Sequence, residues 1–475
     1  MQSLKKNFLY NAILTMSGYI FPLMVYPYIS RVLGVANIGA CNFVDSIVEY
    51  FTILSMMGMN TVGIREIAKC KNDQQKLDNV FSQLFSLNTL TTITAIIILI
   101  TATNIVPKFA PYKDLLYIGV GKLFFNYMLI NWFFQGLENF KYIAARTIFV
   151  KILFVISVFL FVRTETDVKL YYFLVALTWA GNGIINFIYA RKFVSFKFTL
   201  KINKAIIGSF FILGVYWFMN SMYTTLNVAF LGFATNDVEV GYYTTANKLL
   251  TVIMAMFTAL TSVMVPRVSV ALKSKNSLEA KTLICKAIDA LMLFAIPLIF
   301  FVFPYSQELI YLMSGNGYEG AITPLQIMTP LFFLIGYDQI IVLQTLLPMG
   351  KDKNILRNSI LAASVGVISN IVLTLSLGKN GSAIVLIIAE LTVLTSSQFC
   401  VTKYIGLKMP LKLIIKHIIG FSPIIIICYA IKYFINSYVI SLMVSASFTC
   451  CYIFFVGRFI LKNSILINFR TPNIK

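Results

Sequence analysis

Apolar stretches of about the length needed to cross a bilayer recur from one end of the chain to the other, separated by short breaks rich in Lys and Arg. A segment inside lipid has no water to satisfy its backbone, so these stretches have to be helices. They run at 9–30, 38–62, 80–104, 115–136, 142–162, 169–190, 206–230, 239–265, 284–304, 322–347, 355–377, 381–402, 411–431 and 437–457. The pattern predicts an all-α polytopic membrane protein of about fourteen transmembrane helices. A hydrophobic content of 59%, with 12% charged residues and a mean hydropathy of +0.82, excludes a soluble globular chain.

The formal charge of +21 would point to nucleic acid in a soluble protein. Here the basic residues alternate instead. One set of alternate loops carries 29 Lys and Arg, and the opposite set carries only Arg31, Lys108, Lys113, Arg163, Lys169, Lys379 and Lys432. That asymmetry predicts both termini in the cytoplasm, hence an even number of spans and no nucleic-acid partner. The N-terminal MQSLKKNFLY reads as the lead into a first transmembrane helix, not as a removed signal peptide. Seven cysteines at scattered positions give no disulfide or zinc spacing, and a lone histidine, His417, excludes a His-cluster metal site. His417 reads as an interface residue. No Walker loop, GxGxxG, nucleophile elbow or glycosidase carboxylate pair occurs, so neither catalytic residues nor a cofactor are expected beyond a coupling proton or sodium ion.

One stretch organises the rest. From Arg31 to Lys69 an apolar span encloses Asp45 and Glu49, one helical turn apart and so on one face, and ends in Arg65, Glu66 and Lys69. Its outline returns at 241–267: Gly39 precedes Arg65 by the interval at which Gly241 precedes Arg267. An internal duplication of this kind places helices one to six over seven to twelve. Six spans per copy is even, so the copies point the same way, related by an axis along the membrane normal. The expected organisation is an N-terminal six-helix lobe at 1–204, a C-terminal six-helix lobe at 205–405, and two further helices with a tail at 406–475. Substrate is expected between the lobes.

The residues also resemble a family. RVLGVANIG, VEYF and MGMNTVGIREIAK look like the N-terminal signature of Wzx-type polysaccharide flippases, within the multidrug/oligosaccharidyl-lipid/polysaccharide exporter superfamily. NWFFQGLENFKYIAARTIFVKIL (131–153), VEVGYYTTANKLL with VMVPRVS, and LMSGNGYEGAITPLQIMTP (312–330) are similar to later segments of that family. The resemblance implies a bacterial inner-membrane protein that moves an undecaprenyl-pyrophosphate-linked oligosaccharide to the outer leaflet by alternating access. The product would serve O-antigen, capsule or exopolysaccharide assembly, with a polysaccharide polymerase machinery as a further partner. A cation-coupled drug exporter and a lipid II flippase of the same superfamily are the alternatives in transport. A membrane glycan polymerase or ligase is the alternative in enzymology, and the short outer loops argue against it.

Three lysines, Lys122, Lys151 and Lys248, fall inside predicted helices, where a lysine costs about 2.5–3.5 kcal/mol on insertion scales. They are the candidates for contacting pyrophosphate and acidic sugars, since attraction to a diphosphate is poorly screened in a low-dielectric cleft. The competing reading is that each neutralises an internal carboxylate or snorkels. Asp45 and Glu49, and in the second lobe Asp338 and Glu390, are candidates for ion coupling or for internal salt bridges. Arg65 and Arg267 form a candidate collar for the head group at the cytoplasmic side, against plain lipid anchoring. Arg31 sits at the other mouth, serving release or capping a helix. Gly315–Tyr318 reads as a tight outer turn.

Overall fold

The structure is a computed structural model that describes residues 4–222, 225–273, 277–463 and residue 466. Among them every regular element is helical. The chain packs as two compact units, Met1–Gly241 and Tyr242–Lys475. The division falls inside a helix, whereas the sequence places the lobe boundary at 204/205. Among the described residues, eight helices are long and apolar enough to span a membrane, or nine if one pair bent by 47° is a single span. The protein is therefore a multi-pass membrane protein. Two of the eight, Tyr10–Cys70 with 61 residues and Asp352–Ile405 with 54, far exceed a hydrocarbon core of about 30 Å at ~1.5 Å per residue.

Unit 1 contains α1 (Leu4–Met56), α2 (Met59–Cys70), α3 (Gln74–Ile105), α4 (Lys113–Tyr127), α5 (Asn131–Gly136), α6 (Phe140–Phe161), α7 (Val168–Ala190), α8 (Lys204–Ser221) and α9 (Thr225–Ala234), and ends inside α10 (Asp237–Lys273). α1 is broken at Gly34, whose φ of 75° only glycine adopts without strain. The expected separation of spans 9–30 and 38–62 thus appears as one helix with a glycine break. Two further breaks interrupt expected continuous helices: Met57 (φ 40°) parts α1 from α2, and Ile130 (φ 33°) parts α4 from α5. Freed backbone groups at membrane depth need partners. The Ser55 carbonyl accepts from Asn88 Nδ2 at 2.9 Å and Thr91 Oγ1 at 2.7 Å, both on α3, while Gly58 N–H donates to the Phe210 carbonyl at 3.1 Å. The Leu129 carbonyl accepts from the Asn186 amide on α7.

The quoted signature segments turn out to pack on one another. A Cβ on Gly63 of α2 would fall 2.6 Å from the Trp132 ring of α5, and one on Gly136 would fall 2.7 Å from Ile67. Lys71 and Glu138 close the same junction at 3.0 Å. Beneath lies an aromatic core in which Phe81 stacks on Trp132 at 5.5 Å and Tyr142 on Tyr189 at 4.1 Å. The two glycines that anchor the duplicated outline also meet: a Cβ on Gly39 would collide with the Asp237 carbonyl, and one on Gly241 with the Val35 carbonyl. Small residues permit such close helix approach.

Unit 2 continues with α11 (Ser277–Val302), α12 (Ser306–Ser314), α13 (Ile322–Met328), α14 (Leu331–Asp338), α15 (Asp352–Ser369), α16 (Leu375–Ile405), α17 (Leu411–Phe421), α18 (Pro423–Phe434) and α19 (Tyr438–Phe455). α14 runs into a π-helix over Gln339–Leu346 and α15 into another over Asn370–Thr374. The expected continuous helix 322–347 is bent at Thr329–Pro330, and Gly378 (φ 54°) breaks α16 between the expected spans 355–377 and 381–402. The last three helices are fastened at both ends. Lys432 Nζ meets Glu308 Oε1 at 2.6 Å and the Pro304 carbonyl at 2.7 Å, and Tyr305 Oη bonds Ser441 and Ser445. At the other end His417 is fully buried, with Nδ1 2.9 Å from the Leu413 carbonyl and Nε2 3.7 Å from Asp289. Gly315 and Gly317 take positive φ in the expected tight turn, with Tyr318 buried.

Candidate functional site

The breaks at Met57 and Ile130 open onto one cavity of about 460 Å3. Met56, Met57 and Asn60 line it from the α1–α2 break, and Asn126, Leu129, Ile130 and Asn131 from the α4–α5 break. Glu49 and Thr52 enter from α1, Trp179 from α7, and Trp217 and Ser221 from α8. Discontinuous helices meeting at a polar cavity are a recurrent way to build a transport site. Glu49 alone among the lining residues carries a formal charge. Arg146 stands behind the wall: its guanidinium donates to Asn131 Oδ1 at 3.2 Å and to Thr147 Oγ1 at 2.9 Å.

Asp45 and Lys122 form an ion pair at 2.5 Å, with Lys122 buried (5% side-chain exposure) and Asp45 half open (43%). Tyr172 Oη donates to the same Asp45 oxygen at 3.2 Å, and Lys122 Nζ sits 5.1 Å from the Trp179 ring centre. Of the two readings of Lys122, the geometry is that of charge neutralisation. Glu49, one turn on, senses the Lys122 charge but has no ion-pair partner among the described residues. Lys151 on α6 is half-buried and has no carboxylate partner among the described residues: its ammonium lies 3.2 Å from Ser17 Oγ and 5.8 Å from the Phe21 ring centre. A half-buried lysine that meets a hydroxyl and a ring face and no carboxylate is a ready partner for an incoming anion.

The remaining candidates divide. Arg65 is exposed and pairs with Glu66 at 2.9 Å, which also holds Lys69. Arg31, exposed on α1, donates to the Pro27 carbonyl one turn back. Lys248 is half-buried on α10. Arg267 lies in α10 with its side chain outside the described residues. In unit 2 the carboxyl groups of Asp338 on α14 and Glu390 on α16 lie within hydrogen-bonding reach of one another. Asp338 is buried, neither of its oxygens has a donor, and neither acid has a cationic partner among the described residues. The structure thus brings Asp45, Glu49 and Lys122 together in unit 1 and Asp338 with Glu390 in unit 2.

Sequence reasoning missed the cavity wall. Trp179, Trp217 and the three asparagines carry no charge, so a search for intramembrane ions passes over them. Three tryptophans in the whole chain, with Trp179 three residues from Asn182 in an apolar run, were the available signal.

A family model described as polysaccharide biosynthesis protein matches residues 4–272. A protein of Escherichia coli (strain K12) named "Putative O-antigen transporter" is 27% identical over 405 residues, covering 82% of this chain and 94% of that one. A protein of the same name from Shigella dysenteriae is 24% identical over 403 residues, 82% of this chain and 98% of its own. Among solved structures, the inward closed conformation of the lipid II flippase MurJ aligns over 95% of this chain and 99% of its own, with a TM-score of 0.78 at 15% identity. An inward-facing multidrug MATE transporter of the MOP superfamily aligns over 84% and 98%, with a TM-score of 0.63 at 17% identity. At those identities the solved structures speak for the fold alone, whereas the family model covers more than half of the chain: the chain belongs to the polysaccharide biosynthesis protein family.

Proposed function

We propose that the protein is a flippase that carries an undecaprenyl-pyrophosphate-linked oligosaccharide across the bacterial inner membrane by alternating access, for O-antigen, capsule or exopolysaccharide assembly. It acts as a transporter, with no bond made or broken in the cargo and both termini in the cytoplasm. The single observation that carries this reading is Lys151, a mid-membrane cation held by Ser17 and Phe21 instead of a carboxylate. In such surroundings a phosphate or sugar carboxylate gains more from the charge than in water. Lys248 is assigned to anionic cargo in unit 2, while Arg65, Arg267 and Arg31 attract the head group at the two mouths. Lys122 is assigned to holding Asp45 in place, with direct anion contact secondary. Asp338 and Glu390 are assigned to a coupling proton, since one proton shared by two adjoining carboxyls relieves their repulsion and occupies an orphaned oxygen; sodium is the alternative ion. The lipid-linked glycan and a polysaccharide polymerase complete the expected partners.

Deleting the gene and assigning lipid-linked saccharide to a leaflet tests the reading. The expected result is accumulation on the cytoplasmic leaflet with loss of surface glycan. A second reading, a cation-coupled drug exporter, is favoured by one feature, the unpaired Glu49 in a cavity with two tryptophans. Unchanged surface glycan with reduced dye efflux would establish it instead.

A further inference from the structure

The cavity at the Met57 and Ile130 breaks is chemically unlike the phosphate-attracting lysines, and the flippase reading has so far given it no occupant. Its volume of about 460 Å3 lies inside the ~300–1,000 Å3 common for small-molecule sites. No Lys or Arg lines it, and Glu49 would repel a phosphate. Its polar groups sort into two kinds. Asn131, Thr52 and Ser221 are committed to the wall: Asn131 Oδ1 accepts from Arg146 and Asn186, Thr52 Oγ1 donates to the Val48 carbonyl at 3.0 Å, and Ser221 Oγ to the Phe218 carbonyl at 2.7 Å. Glu49, Asn60 and Asn126 are uncommitted. None of them makes a side-chain hydrogen bond to another described residue, and the buried Asn126 leaves its amide nitrogen without an acceptor.

An apolar occupant would leave those three groups unpaired, at about 1–3 kcal/mol for each that loses water. A lipophilic cation could answer Glu49 but offers nothing to the two amides. A ring bearing several hydroxyls answers all three, because each hydroxyl both donates and accepts. The indoles of Trp179 and Trp217 supply flat apolar surface with a polar edge, suited to the C–H face of such a ring. We infer that this cavity is a subsite for a neutral, hydroxyl-rich sugar of the cargo head group, with Trp179 and Trp217 as platforms and Glu49, Asn60 and Asn126 reading its hydroxyls. The inference rests on the flippase reading and adds to it: unit 1 handles phosphate and sugar at separate places, and the cavity contributes glycan selectivity.

The test uses the full chain in lipid nanodiscs, with maltose, lactose and diacetylchitobiose as probes and saturation-transfer difference NMR as readout. Saturation transfer to the ring protons of at least one disaccharide is expected. It should fall at least five-fold in Asn126→Leu and in Trp217→Ala, largely persist in Trp217→Phe, and be insensitive to inorganic pyrophosphate. Trp217 is 45% exposed, so its variants should fold even where the buried Asn126 does not tolerate change. No transfer to any of the three sugars, equal transfer in both variants at wild-type melting temperature, or displacement by pyrophosphate or tetraphenylphosphonium would overturn the inference. The flippase reading is scored apart, on the same protein in proteoliposomes. Movement of lipid-linked saccharide without sugar binding in the cavity rejects only the subsite, whereas no movement at all rejects the function on which it rests.

Discussion

Two clusters of acids, Asp45 with Glu49 in unit 1 and Asp338 with Glu390 in unit 2, carry their charge in opposite ways. Unit 1 mixes signs: Asp45 pairs with Lys122, Lys151 rests on Ser17 and Phe21, and Glu49 stands in a cavity of amides and indoles. The described acids Asp338 and Glu390 in unit 2 face one another without a cation. A paired interior keeps one charge state and can hold a shaped, polar site steady. A pair of like groups must change charge state to be comfortable, which suits a proton that comes and goes. Under the proposed function, the contrast suits cargo recognition in unit 1 and coupling in unit 2.

The sharpest way to break the contrast is to remove one partner of the mixed pair. Lys122→Ala should destabilise the protein by about 3 kcal/mol, the low end of what an orphaned partner of a buried pair costs because Asp45 is half open. Thermal denaturation in detergent checks this, and Lys122→Met with Asp45→Asn should recover most of the loss. Glu390→Gln should do the reverse. Stability should hold or rise, while transport falls at least ten-fold and loses its response to an imposed pH gradient. A transport rate that still follows the gradient in Glu390→Gln would return the coupling role to Asp45 or Glu49.

Smaller effects sharpen the picture of how each unit is fastened. Lys432→Ala removes the partly exposed cation between Glu308 and the Pro304 carbonyl, leaving a buried acid. A loss of about 1–2 kcal/mol, discounted for partial exposure, should appear as faster hydrogen exchange at the α18–α19 turn. Arg65→Ala should cost less than about 0.5 kcal/mol, since its pair with Glu66 is at the surface and Lys69 remains. Its effect, if the collar matters, should be on the apparent KM for cargo and should weaken with salt.

Much of the fold was legible because lipid leaves so few options. The apolar runs and the breaks at Gly34 and Gly378 follow from span length and glycine alone. The breaks at Met57 and Ile130 do not, since neither residue favours positive φ. They exist because Asn88, Thr91 and Asn186, far away in sequence, capture the freed carbonyls. The site divides along the same line. Charges at membrane depth announce themselves, so Asp45, Glu49, Lys122, Lys151, Asp338 and Glu390 were visible as candidates. Which lysine meets which carboxylate needs the third dimension, and so does a cavity whose wall is neutral. The REIAK and QGLENF segments teach the converse: they stand out in the sequence, yet Gly63, Trp132, Gly136 and Ile67 show them serving mutual packing.

The account stands or falls on Lys151, which meets Ser17 and Phe21 and no described carboxylate. Purified wild type and Lys151→Met, each reconstituted at equal amount into vesicles, should be compared for the rate at which undecaprenyl-pyrophosphate-linked saccharide reaches the opposite leaflet. Wild type should move it and Lys151→Met should be slower by at least ten-fold at unchanged melting temperature. Equal rates for the two proteins would contradict the account.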